Sequence, residues 1–246
     1  MSEKLKKYRE FLKADDWIKW DDLERDQEKD IPAPPRQKDY PQNAKLIDLP
    51  NPQKIKVDND SLKKLIPKRR SRRRYKDKEI SLKKLSFLLW ATQGVNEEND
   101  NLRNVPSAGA RHPFETYLII RKVKGLENGL YRYIPFEHKL YFIKKIKKTA
   151  EVISRVCRNQ RFVKRSSLLF VWTVIPYRTE WRYSILSHKV IAMDAGHLCQ
   201  NLYLAGEALN LGVCAIGAYR QEKTDNILEV DGQEEFAVYG ASVGVV

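Results

Sequence analysis

From about His188 to Asn210 the chain contains no proline, and its apolar residues go most of the way round a helical wheel. Such a stretch predicts one long helix, and a helix apolar on more than one side must be covered on more than one side. The surrounding sequence supplies strands for that purpose. FETYLIIRKV (114–123) is apolar and β-branched. GLYRYIP (129–135) and HKLYFIKK (138–145) alternate and are tightly joined, which predicts a hairpin. SLLFVWTVI (167–175) reads as a strand buried on both faces. Beyond the long helix come a short strand, VCAIGAY (213–219), a short helix holding Asn226 to Glu229, and a last strand, FAVYGASVGV (236–245). The class is α+β: a mixed, mainly antiparallel sheet flanked by helices, with one long central helix.

The first part of the chain is different. Residues 3–14 fit a short charged helix, and from about Asp21 to Pro52 periodic apolar residues are scarce. IPAPP and DLPNP fix φ and remove donors there. This predicts an extended arm over residues 1–60, laid on the body or on a partner; disorder is the alternative. Trp17 and Trp20 speak for packing, because large rings usually find a surface. The body then spans 61–246. Asp60 or Ser61 would cap a short helix ending before Pro67, and Ser81 would cap a longer one. In the latter, Leu82, Leu85, Leu88 and Leu89 share a face and Gly94 ends the run. Residues 95–113 read as loop.

Charge is the next constraint. KRRSRRRY (68–75) holds five arginines and a lysine in eight positions. The net charge is +14, and the stretch from Lys63 to Lys78 accounts for +9 of it, leaving +5 for everything else. A general polyanion-binding surface would spread its basic residues along a face. Here a basic segment sits on a nearly ordinary body, so a nucleic-acid role is the weaker reading. The three cysteines, Cys157, Cys199 and Cys214, form no CxxC pair and are odd in number, which argues against a disulfide framework and a zinc site. His112, His138, His188 and His197 lack metal-ligand spacing. Walker A, GxGxxG, GxSxG and HExxH patterns are all missing. The most apolar run falls far short of the ~20 residues of a spanning helix, and MSEKLKKYREFLK has no apolar signal region. A soluble, cytoplasmic protein is the expectation.

Three segments carry the chemistry: RRSRRRY (69–75), PSAGARHPFETYLII (106–120) followed by GLYRY, and MDAGHLCQNLYLAGEALNLGVCAIGAY (193–219). In order and spacing the chain resembles the nitroreductase family of flavoproteins over about residues 60–246, and within it the SagB-type dehydrogenase-like branch. The resemblance implies an FMN cofactor, NAD(P)H as hydride donor, and a homodimer with each flavin at the subunit interface. It implies that Arg69, Ser71 and Arg73, with Arg70 between them, hold the phosphate end of FMN. The physics agrees. A phosphate suits guanidinium groups and a hydroxyl donor, and alternate residues of an extended segment share a side.

The resemblance also implies that Pro106, Ser107 and Ala108 reach the neighbouring subunit's flavin, small residues allowing a close approach. An ordinary turn is the alternative there. Ile216, Gly217 and Ala218 would lie at the flavin ring, with the backbone N–H groups of Gly217 and Ala218 near N5 and O4. A strand bulge at Gly217 is the alternative. Asn159 would meet the pyrimidine edge, unless it only caps a helix. His197 and Gln200, on the family's central dimer helix, read as packing groups.

Two departures stand out. Many relatives have a basic residue after the last strand, and the sequence ends at Val246 without one. Azoline-oxidising members of the SagB branch use a Lys-Tyr pair as base, whereas this chain has Trp181-Arg182-Tyr183. Arginine is a poor proton acceptor, so Arg182 and Tyr183 are candidates for contacting substrate and no catalytic side chain is assigned. The expected activity is ping-pong transfer of electrons from NAD(P)H to a nitroaromatic- or quinone-like acceptor. Dehydrogenation of a peptide-derived heterocycle, a flavin carrier without turnover, and a basic polyanion-binding module are the alternatives.

Overall fold

Seven strands form one sheet in the computed structural model, which describes residues 3–96 and 99–246. They are β1 (Lys45–Asp48), β2 (Phe114–Ile120), β3 (Gly129–Ile134), β4 (Lys139–Lys145), β5 (Leu168–Val174), β6 (Leu211–Ile216) and β7 (Phe236–Val245). Their spatial order is β1-β4-β3-β2-β5-β7-β6, and all six pairings are antiparallel. Parallel pairing occurs as isolated bridges, Ser71 with Val213 and Ile80 with Val123.

The central strands are buried on both faces, as their unbroken apolar runs require. Along β2, Leu118 and Ile120 face one core while Tyr117 and Ile119 face the other. Along β5, Phe170 and Trp172 share the first core, and Leu169 and Val171 the second. The first core is closed by α3 (Leu82–Gln93) and α6 (Ser187–Ala208), through Leu85, Leu88 and Leu89 and through Leu198 and Leu202. The second is closed by α4 (Thr149–Val156) and α7 (Gln221–Leu228), through Ile153, Val156 and Leu228. Ser81 caps α3 by accepting the Lys84 N–H, and Gly94 follows its end.

Several boundaries differ from the sequence expectation. The helix expected to stop before Pro67 is α2 (Leu62–Lys68), with Pro67 inside it. Proline in a last turn costs one N–H bond, and the Arg69 N–H still reaches the Leu65 carbonyl at 3.0 Å. Ser61 is its N-cap without a side-chain hydrogen bond. The strand expected at 213–219 is β6, which begins at Leu211 and stops at Ile216. A helix α5 (Tyr177–Tyr183) sits where none is expected. The long helix buries Ile191, Ala195, Leu198 and Leu202 but leaves Ala192, Met193, Gly196, His197 and Gln200 exposed. Its surplus apolar character is that uncovered stripe.

The arm lies on the body. After α1 (Glu3–Glu10) and a 3-10 turn at Asp15–Asp22, the segment 31–39 is held through its carbonyls. Trp181 Nε1 donates to Ile31 O at 2.8 Å, Arg103 to Arg36 O at 2.7 Å, and Arg132 to Lys38 O and Asp39 O at 3.0 and 2.6 Å. β1 then joins β4 as the edge of the sheet.

Candidate functional site

The arginine segment is extended because it is laid along the outer edge of β6. The Arg72 N–H bonds to Val213 O at 2.9 Å, and the Lys76 N–H bonds to Val245 O at 2.8 Å. Tyr75 anchors it: the ring is buried and its hydroxyl meets Ser242 at 2.8 Å. Burial pushes the Tyr75 pKa up. Extension sorts the side chains by parity. Arg72 pairs bidentately with Glu207 of α6, at 2.9 and 3.0 Å. Arg70 donates to Pro67 O and Arg69 O, closing the end of α2.

The odd-numbered residues do something else. Arg69 lies over the Tyr203 ring, 5.3 Å from its centre, and the Ser71 hydroxyl is 2.8 Å from the Tyr203 hydroxyl. Arg73 lies over Phe162 at 5.7 Å and beside Cys214. Neither Arg69 nor Arg73 has a carboxylate partner among the described residues, in contrast to Arg72. A cleft of about 420 Å³ borders this segment, lined by Arg70–Arg74 and Val246.

Tyr203 was not legible as a site residue. It sits on α6, and its hydroxyl also receives the Ala215 N–H of β6 at 2.8 Å. One phenol thus ties the arginine segment, the long helix and the third segment together. Ile216 ends β6 in the core, while Gly217 and Ala218 are exposed beyond it. A Cβ built on Gly217 would meet nothing within 4 Å, so its outer face is open. Asn159 has φ +62 and closes α4 through its own N–H to Ser154 O. Gln160, the next residue, reaches the third segment by donating to Ala218 O at 3.2 Å. Residues 160–162 therefore bridge the first and third segments.

The second segment stands apart. Pro106 is exposed. The Ala108 N–H donates to Asp194 Oδ2 at 2.9 Å, and the Ser107 hydroxyl bonds to the same carboxylate and receives the His112 N–H. Burial pushes the Asp194 pKa up, against these hydrogen bonds. His197 Nδ1 lies 3.7 Å from its other oxygen. Asp194 and Tyr203 are nine residues apart on α6, a rise of about 14 Å. Within one chain the loop does not join the arginine segment. Gly109, at φ +56, lets the loop press on Arg182 and Tyr183: an added Cβ would sit 2.7 Å from Arg182 Cδ and 2.8 Å from the Tyr183 hydroxyl. His112 is buried, and burial, reinforced by Arg103, pushes its pKa down to about 4.

The profile described as Nitroreductase family matches residues 66–245. The chain belongs to the nitroreductase family. MJ1384, a protein of Methanocaldococcus jannaschii that carries the nitroreductase name, is 32% identical over 184 residues, covering 75% of this chain and 89% of its own length. A solved structure from Anabaena variabilis, also under the nitroreductase name, superposes with a TM-score of 0.65 at 30% identity. It covers 75% of this chain, which spans 38% of the Anabaena chain. The trifolitoxin-processing protein TfxB of Rhizobium leguminosarum bv. trifolii is 30% identical over 166 residues, 62% of this chain and 44% of TfxB. That likeness is consistent with the SagB-type branch of the family. The nitroreductase fold accounts for the sheet, its flanking helices and the long α6.

A phosphate-bearing flavin fits the residues present. Among the described residues Arg69 and Arg73 offer guanidinium groups without a carboxylate partner on the side where Ser71 offers a hydroxyl. The open face of Gly217 leaves room for a flat ring beyond β6.

Proposed function

We propose that this member of the nitroreductase family is an FMN-dependent oxidoreductase, acting as a homodimer on NAD(P)H and a small-molecule acceptor. The observation that carries the reading is the contrast within one segment. Arg72 is neutralised by Glu207, while Arg69 and Arg73 point to the Tyr203–Phe162 side with no acidic partner among the described residues. Two guanidiniums on one side of an extended segment, without a carboxylate and beside a hydroxyl, suit a phosphate.

Bound FMN would supply two-electron hydride chemistry between NAD(P)H and a second molecule. The chain's own residues bind and orient. Arg69, Ser71 and Arg73 would hold the phosphate, with Arg70 on the rim; Tyr203 sets the Ser71 hydroxyl; Ile216 packs the end of β6, beyond which the Gly217 and Ala218 N–H groups would serve the ring. Gln160 fixes that turn through Ala218 O, and Asn159 beside it is the candidate for the pyrimidine edge.

A second copy completes the site. The exposed stripe Ala192–Met193–Gly196–His197–Gln200 is a helix face suited to a partner, and Pro106, Ser107 and Ala108 are too far along α6 to serve their own arginine segment. Among the described residues no helix is long and apolar enough to cross a membrane; a cytoplasmic location remains part of the proposal.

The likeness to TfxB favours one second reading, dehydrogenation of a peptide-derived heterocycle. Arg182 in place of a lysine counts against it, because arginine keeps its proton. Anaerobic addition of NADH or NADPH separates the readings. Rapid bleaching of the flavin absorbance, with parallel double-reciprocal plots when an acceptor is varied, is expected. A flavin that neither dinucleotide reduces would sink the NAD(P)H scheme.

A further inference from the structure

The arm brings two tryptophans to the loop that the flavin reading assigns to the shared active site. Trp17 and Trp20 stack on each other, with ring centres 5.7 Å apart and planes 16° from parallel. Both rings also meet Tyr183, at 6.1 and 5.8 Å. Tyr183 and Arg182 are the residues against which Gly109 is pressed. The indole pair, α5 and the loop after Ser107 therefore form one continuous surface. Trp17 is 37% exposed, although it belongs to a three-ring cluster.

Arg182 gives this surface its charge. Four residues earlier on the same helix, Arg178 is buried and paired with Glu115 at 2.7 Å. Arg182 has no carboxylate partner among the described residues, and its Nε is buried without a hydrogen-bond partner. Its guanidinium lies 5.6 Å from the Tyr183 ring centre. A half-buried cation without a carboxylate, set beside aromatic faces, is suited to receive an anionic group on a flat ring. The neighbouring Arg25 lies over Trp20 at 3.9 Å and is engaged with Glu28, so it is not free for that task.

We propose that Trp17, Trp20, Arg182 and Tyr183 form the wall that receives the second substrate, and that this wall selects planar aromatic compounds carrying a negative charge. The inference rests on the flavin reading, which makes the adjoining loop part of the active site, and it adds the arm as a specificity element. Stacking selects the flat ring and Arg182 selects the anion.

The test uses the full-length protein as purified, its flavin content first measured by absorbance. Calorimetric titration compares 4-nitrobenzoate with nitrobenzene, its uncharged counterpart. Saturable binding of 4-nitrobenzoate is expected, tighter than nitrobenzene by roughly tenfold or more, the scale of one charged hydrogen bond. Arg182→Gln should abolish that preference, and Trp17→Ala should weaken both ligands, with flavin content unchanged in each. Trp17→Ala is the milder change to the arm, and Trp20→Phe guards against misfolding by keeping a ring in the stack. Equal binding of the two compounds by the wild-type protein would overturn the proposal, as would an unchanged preference in Arg182→Gln. A protein that takes up no flavin even from added FMN and still shows the preference would refute the flavin reading while leaving the wall in place.

Discussion

Two groups of arginines in this chain have opposite fates. Arg103, Arg111, Arg132 and Arg178 are buried and find their partners within the chain: the first three donate to carbonyls of the arm, and Arg178 is paired with Glu115. Arg69 and Arg73 lie on an exposed sheet edge with aromatic rings beneath them and no carboxylate among the described residues. The first group is a clamp that makes the arm integral to the fold. The second is the proposed phosphate site. A count of arginines does not distinguish them; their partners do.

The sharpest way to break the comparison is at the clamp. Glu115 accepts from Arg178 Nη2 at 2.7 Å and from the Lys38 N–H at 2.8 Å, and Arg132 lies 3.9 Å away. Glu115→Gln leaves buried cations uncompensated and should cost roughly 3–5 kcal/mol of stability. A chemical denaturation curve reads it directly, and an unchanged midpoint would show that the clamp is not holding the arm.

At the open group the effect should fall on ligand and spare the fold. Arg69→Ala with Arg73→Ala should weaken FMN binding by about 3 kcal/mol or more, since charged hydrogen bonds are lost. The unliganded protein should stay within about 0.5 kcal/mol of its parent, as exposed substitutions do. Equilibrium dialysis with FMN and a thermal melt together check both halves. Stoichiometric FMN in the double variant would remove the segment from the site.

A pH titration probes the junction between the two regions. His112 receives an Arg178 N–H on its carbonyl and donates its own N–H to Ser107. Its folded-state pKa is depressed from 6.5 to about 4, chiefly by burial. Above pH 6.5 the ring is neutral folded or unfolded. As pH falls through that window the unfolded chain takes up a proton that the folded chain refuses, so stability declines from about pH 6.5 to about pH 4. His138, depressed by burial too, acts in the same direction. Melting temperature against pH should show this slope, and His112→Asn should lessen it.

The smallest effect belongs to Tyr203→Phe. Losing the hydroxyl that serves Ser71 and the Ala215 N–H should cost about 1 kcal/mol in FMN affinity. The same dialysis measures it, and an unaltered affinity would mean that Ser71 needs no support.

The sequence made the frame legible where one physical signal dominated. The apolar runs of β2 and β5, the alternation of β3 and β4, and the capped leucine face of α3 each stand alone in the sequence. β1 did not, because KLID is four residues long and gains its place only by pairing with β4, about a hundred residues away. The same holds for α5, which follows Pro176 and earns its stability from Arg178 and Trp181 packing on distant partners. In the site, the parity of Arg69, Ser71 and Arg73 was readable because it is local. Tyr203 and Asp194 were hidden inside a helix that reads as core, and each joins the candidate site only through a segment remote in the chain. Trp17 and Trp20 announced packing but not their target.

The most direct measurement is the ultraviolet-visible spectrum of the purified full-length protein, before and after heat release of its ligand. A yellow protein that releases FMN at about one per chain is the predicted result. A colourless protein that also refuses added FMN would contradict it, and Arg69 and Arg73 would then need a different anion.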